Sequence, residues 1–173
     1  MVGILGEMKL NNWKEDKKWS DRFLPEVKMI LGLHLIGEPP IEEDIEHNTD
    51  LIILKMEAVR IACRIRHKEY FEKYPNEITI RTNRPSGAKT ELAKIIEGWG
   101  DYFFYGFANE DETKLYNWKL CKLNAFRLYF NSFIVKQKGE IPGIEKINKD
   151  RSSSFRAFNT LKIPDFVIAQ KQT

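Results

Sequence analysis

Asp50-Leu-Ile-Ile-Leu54 and, after a turn at Lys55, Met56 and Glu57, Val59-Arg-Ile-Ala-Cys-Arg-Ile-Arg66 form the stretch on which the fold turns. The first run is apolar and of strand length, and the second alternates with period two. In a strand, Ile61, Cys63 and Ile65 share one face, and Arg60, Ala62, Arg64 and Arg66 share the other. The pattern predicts a pair of strands with one face in the core and the other cationic, bringing the carboxylate of Asp50 beside a row of arginines.

Upstream, Ser20 and Asp21 are placed to cap a helix whose stripe is Phe23, Val27, Ile30 and Leu31; Pro25 falls in its first turn, and Gly32 can end it. Glu26 lies in that first turn, off the stripe. Gly37 to Glu46 is a loop by its prolines and repelling acids. Downstream, His67 to Pro75 reads as a loop or short helical piece, and Glu77 to Thr82 as a third strand with Ile78 and Ile80 on one face. Thr90 caps a helix with Leu92, Ile95, Ile96, Trp99 and Phe103 on one stripe, with Glu91 favouring its dipole. Tyr102 to Phe107 either ends that helix or begins a strand. Leu115 to Leu123 reads as a strand, and Asn124 as the cap of a helix running to Ile134. The order is that of an α/β protein with a mixed central β-sheet flanked by helices. The expected organisation is one domain, with an arm at 1–18, a core at 20–135 and a basic extension at 136–173 that carries a last strand or packing arm.

A chain of 173 residues with 42% hydrophobic and 12% aromatic content can bury a core without disulfides or metal. Cys63 and Cys121 are far apart in apolar or alternating stretches, so both are expected to be small buried thiols, which suits a reducing compartment. No apolar run approaches the roughly 20 residues that cross a bilayer. The start, MVGILGEMKLNNWKEDKK, places its charges behind a short apolar run, the reverse of a signal peptide. These features predict a cytoplasmic protein without a membrane partner. The net charge of +3 is unevenly distributed: Gly37 to Asp50 carries six acids and no lysine or arginine, whereas Lys55 to Lys94 carries ten bases against five acids. The basic half suits a polyanion such as nucleic acid; the alternative is that these charges pair with one another on solvated faces.

Asn48-Thr-Asp-Leu-Ile-Ile-Leu54, taken with this order of elements, resembles the start of the second core strand of the PD-(D/E)XK, restriction endonuclease-like superfamily. The resemblance implies a nuclease-like fold, a nucleic-acid partner and Mg²⁺ held by carboxylates, with a lysine near the scissile phosphate. Asp50 matches the metal-binding aspartate, and Glu26 the supporting glutamate of the preceding helix. The next strand then supplies an acid, a spacer and a lysine in the family; here its outward face offers Ala62, Arg64 and Arg66. Arginine holds phosphate but stays protonated, so it does not serve as a general base. Either the missing groups have moved to the helix after Thr90 as Glu91 and Lys94, spaced i, i+3, or the site only binds. The first reading assigns Asp50, Glu26, Glu91 and Lys94 to catalysis, the three carboxylates to the metal. Both place Arg60, Arg64, Arg66, Arg81, Arg84 and Lys89 against nucleic acid. Asp50 also reads simply as a strand cap or a partner of Arg64. The stretch TIRTNRPSGAKTELAKIIEGWGDYFFYGF resembles small phage and prophage proteins, which implies a host cytoplasm.

Asn83 to Thr90 lacks the first glycine of a nucleotide-triphosphate loop, though its amides, with Arg84 and Lys89, can meet a phosphate. In the aromatic run Trp99 to Phe107, Trp99, Phe103 and Phe104 read as core, and Tyr102 or Tyr105 as candidates to stack on bases. Asp101 reads as a helix-end polar residue or a further ligand. The histidines, His34, His47 and His67, have no zinc spacing, and no serine or cysteine sits in a nucleophile pattern.

Overall fold

The computed structural model describes residues 15–37, 52–53, 59–83, 87–148 and 153–171. Asp50 and Arg84 lie outside them. The chain divides into two compact units, Met1–Ala58 with Thr113–Leu115 and Val59–Glu112 with Tyr116–Thr173.

In the first unit, residues 15–21 are helical and a turn leads into α1 (Leu24–Leu35). Phe23 and Val27 are buried, as their spacing predicts. Two details differ. Asp21 pairs with the Lys17 side chain within the preceding helix instead of capping α1, and Gly32 does not stop α1, which runs on to β1 (Ile36–Gly37). β1 pairs antiparallel with β2 (Ile52–Ile53), the described part of the first strand in the deciding stretch.

The second unit is a mixed α/β assembly. β3 (Ile61–Arg66) runs parallel to β5 (Tyr102–Ala108), within the sheet order β3-β5-β6-β9. β6 is Leu115–Lys122, and β9 (Val167–Gln170) pairs antiparallel with it. A parallel pair needs a crossover; here it comprises α2 (Lys68–Lys73), β4 (Glu77–Arg81) and α3 (Glu91–Ile96). β4 is diverted into a second, antiparallel sheet of order β4-β8-β7, built with β7 (Ile144–Ile147) and β8 (Ser154–Asn159). Among the described residues, Ile52–Ile53 pairs with β1 and β3 pairs with β5. The stretch 136–173 is not an appendage, since it supplies the central strand of the second sheet.

Each expected element forms for a local reason. Thr90 Oγ1 accepts the Ala93 amide at 3.2 Å and caps α3. The helix stops at Ile96, where the chain turns through Glu97 and Gly98, so Trp99 leaves the stripe and is 64% exposed, contrary to its expected core position. Arg127 of α4 (Leu123–Lys136) closes that end by donating to the carbonyls of Ile95, Trp99 and Gly100. α4 begins at Leu123 without the expected Asn124 cap; the Leu123 amide donates to the Asp101 carbonyl instead. Asp101 is a structural tie, its carboxylate taking the Arg60 amide at 2.7 Å.

Phe103, Tyr105 and Phe107 of β5 pack with Ile78 and Ile80 of β4, Phe126 and Phe130 of α4, and Phe158 and Phe166. The other face of β5 is buried as well, with Phe104 stacked on Trp118 at 5.7 Å, which explains the unbroken aromatic run. Cys121 lies in the core, but Cys63 is exposed: among the described residues β3 has one sheet neighbour, and its alternation does not bury the whole Ile61, Cys63, Ile65 face.

Lys119 of β6 is 5% exposed and shares its strand face with Cys121. Burial lowers the Lys119 ammonium pKa below 10.5 and pushes the Cys121 thiol up to about 12. The unfolded chain thus holds the Lys119 proton over a pH window where the folded one releases it, so this lysine penalises folding fully at neutral pH and ever less as pH rises through the lowered value toward 10.5. Cys121 acts with the opposite sign, its contribution being complete below 9.0 and lost as pH climbs toward about 12. Replacing Lys119 by Met is expected to raise stability by about 1 kcal/mol at neutral pH. Because Cys121 is common to both proteins, the advantage measured in urea titrations should shrink above the lowered lysine pKa. An unchanged or reduced stability at pH 7 would show that the ammonium is not penalised.

Candidate functional site

The arginine face of β3 divides into two roles. Arg64 bridges the two sheets at their edge strands: Nη1 donates to the Thr79 carbonyl of β4 at 2.9 Å, and Nη2 meets Glu91 Oε2 of α3 at 2.6 Å. The same Glu91 oxygen accepts the Arg81 amide at 2.9 Å. Tyr105 Oη lies 3.0 Å from Thr79 Oγ1, extending the network into the core. With both side chains of the ion pair 21% exposed, this is a half-buried staple.

Arg66, two residues on, faces a different environment. Its guanidinium lies 4.0 Å from the centroid of the Tyr70 ring, a cation–π contact. Its Nε is buried and has no hydrogen-bond partner among the described residues. Lys146 of β7 sits likewise over Tyr74, at 4.7 Å. These four side chains line a cavity of about 160 Å³ with Glu77, Thr79, Tyr105, Phe107, Phe155 and Ala157. Strand register explains how they meet. Thr79 pairs with Ala157, Arg81 with Phe155 and Phe155 with Lys146, so Glu77, Thr79, Phe155, Ala157 and Lys146 share the face of the second sheet opposite Ile78 and Ile80. Tyr70 and Tyr74, spaced i, i+4 at α2 and its end, close the cavity.

The remaining expected site residues are placed as follows. Glu26 accepts the Leu115 amide at 2.8 Å within the first unit. Glu91 is held by Arg64 and the Arg81 amide, while Lys94 is exposed on α3. Arg60 has an exposed side chain, and Lys89 pairs with Glu97 at 2.5 Å. The structure thus joins Arg64 to Glu91 and the Arg81 backbone, and sets Arg66 apart in the aromatic cavity. Among the described residues no group of three or more His, Cys, Asp or Glu is arranged to hold a metal ion.

Sequence reasoning missed Tyr70, Tyr74, Lys146 and Phe155. The paired tyrosines in His67-Lys-Glu-Tyr-Phe-Glu-Lys-Tyr74 were a usable signal, being one helical turn apart shortly after Arg66. Nothing local indicates that Lys146 and Phe155 join them. Comparison with protein-family models, with curated proteins and with solved structures finds no match to this chain.

Proposed function

We propose that the protein binds single-stranded nucleic acid, seating one phosphate or one base of the strand in the cavity between Arg66 and Lys146. The observation that carries this is the guanidinium of Arg66, fixed against Tyr70 in the cavity wall with no carboxylate paired to it among the described residues. The remaining donors of this guanidinium, which lines the cavity, are the ones an anionic ligand oxygen would meet. Arginine suits this because its planar donors match phosphate oxygens. A cationic cavity with aromatic walls is the arrangement by which proteins hold single strands. Its volume of about 160 Å³ corresponds to roughly five waters of the liquid, room for one base or phosphate and not for a duplex.

On this reading the scaffold is restriction endonuclease-like, with the parallel β3–β5 pair and its crossover as the support for that kinship. Phosphate binding, rather than hydrolysis, is the function retained at Arg66. Glu91 serves Arg64 and the chain at Arg81, which favours a structural role for it over metal binding.

Fluorescence anisotropy with a labelled ten-nucleotide DNA, the matching RNA and the duplex tests the proposal. Single strands should bind more tightly than duplex, with an affinity that falls with salt. Arg66→Ala combined with Lys146→Ala should weaken binding by about tenfold or more, equivalent to about 1.4 kcal/mol, with the circular dichroism spectrum retained. Equal affinity for duplex, or an unaffected double variant, would overturn it. Adding Mg²⁺ to wild type and to Asp50→Ala tests hydrolysis separately: cleavage lost in the variant would restore the nuclease reading.

A further inference from the structure

The apolar stripe of α4 is broader than the part of it that the core covers. Leu123, Phe126 and Phe130 are buried in the core. Beside them Ala125, Leu128, Tyr129 and Phe133, at i, i+3, i+4 spacing, line a groove of about 560 Å³, Ala125 and Tyr129 resting partly against the core. The other wall is the turn containing Lys162, Pro164 and Asp165. Leu128 is 65% exposed there, and the rings of Tyr129 and Phe133 adjoin at 6.1 Å.

We propose that this groove docks an acidic, amphipathic helix of a partner protein. Its charge sets the occupant's sign, because Lys122, Lys136 and Lys162 rim it and Asp165 is the one acid in its lining. Its shape sets the occupant's form. A helix laid along α4 presents side chains at i, i+3 or i+4, and i+7 to the repeating apolar stripe, and its acids reach the lysines at both rims. The aliphatic Leu128 at the centre favours such a peptide over nucleic acid, whose bases are held by aromatic platforms and arginines. The site is separate from the cavity at Arg66, with which it shares no lining residue.

The test is anisotropy of the full chain with a labelled 16-residue helical peptide carrying leucines at i, i+3 and i+7 positions and glutamates on its polar face. A peptide with lysines in place of the glutamates and a ten-nucleotide single strand serve as comparisons. Wild type should prefer the acidic peptide by at least about tenfold. Leu128→Glu should lose that binding, and Lys136→Glu with Lys162→Glu should transfer the preference to the lysine peptide. Both variants alter exposed side chains, so the far-ultraviolet circular dichroism should be retained. Equal binding of the two peptides, no binding of the acidic one, or displacement of it from wild type by the oligonucleotide would overturn the proposal. So would sedimentation showing that wild type is a dimer which Leu128→Glu dissociates, since a second copy would then fill the groove. Because Arg66→Ala with Lys146→Ala leaves the groove intact, that variant should bind the acidic peptide as wild type does whether or not the nucleic-acid reading stands.

Discussion

Arg64→Ala should lower the unfolding free energy by about 2–4 kcal/mol, while leaving the affinity of the folded protein for single-stranded nucleic acid within about twofold. Removing the guanidinium strips the Thr79 carbonyl of its donor and leaves Glu91 half-buried, with the Arg81 amide but without its cation. The loss exceeds that of a surface ion pair because each partner is 21% exposed, and because one side chain secures both an edge strand and a helix. Glu91→Gln preserves an acceptor for the Arg81 amide while deleting the charge. In a double-mutant cycle the paired variant should therefore cost less than the sum of the singles, by about 1–2 kcal/mol. Urea titrations of the four proteins measure the cycle. Unchanged stability of Arg64→Ala together with weakened oligonucleotide binding would return Arg64 to the phosphate-contacting role suggested by its place beside Arg66.

Why that role looked plausible explains what the chain does and does not reveal locally. Alternation along 59–66 correctly separated the arginines from Ile65, because period two is a property of the strand itself. It says nothing about what stands opposite each side chain. Arg64 meets Glu91, 27 residues away, whereas Arg66 meets Tyr70 four residues on. Ile78 and Ile80 were legible because β4 presents one face to the core, and Thr90 because its cap closes within three residues. Trp99 misled because helical spacing continues on paper past Glu97 and Gly98, where the backbone turns away. The largest omission was β7 and β8. Their basic composition reads as a tail, but β8 pairs with β4 across a sequence gap of more than seventy residues, a register that only tertiary packing defines. The cavity at Arg66 was illegible for the same reason, since Lys146, Phe155 and Ala157 of its wall arrive with those strands. Asp50, on which the metal reading rests, lies outside the described residues.

Gly143 shows how tightly that late-arriving wall is built. Replacing it by Ala should cost about 2–4 kcal/mol, since two penalties coincide. Its backbone has φ +86°, a region that L side chains rarely adopt, worth about 1 kcal/mol. A Cβ there would also stand 2.8 Å from the Ala157 carbonyl oxygen and 2.9 Å from the Phe158 ring. Neither can yield freely: Ala157 lies in the central strand of the second sheet, and Phe158 packs edge-on against Phe126 at 4.9 Å. Overpacking of this kind adds about 1–3 kcal/mol. Gly139 separates the two terms, having φ +101° but open space where its Cβ would go, so Gly139→Ala should show the backbone penalty alone. The turn at Gly143 is also clasped by Arg156, which donates to the carbonyls of Ile141, Pro142 and Gly143 and reaches Glu145. Displacing it moves β7 and with it Lys146, so Gly143→Ala should weaken single-strand binding even under conditions where the variant is folded. A Gly143→Ala protein as stable as Gly139→Ala would mean that the strand accommodates the methyl group. Unchanged nucleic-acid affinity despite lost stability would mean that Lys146 is not held in place by this turn.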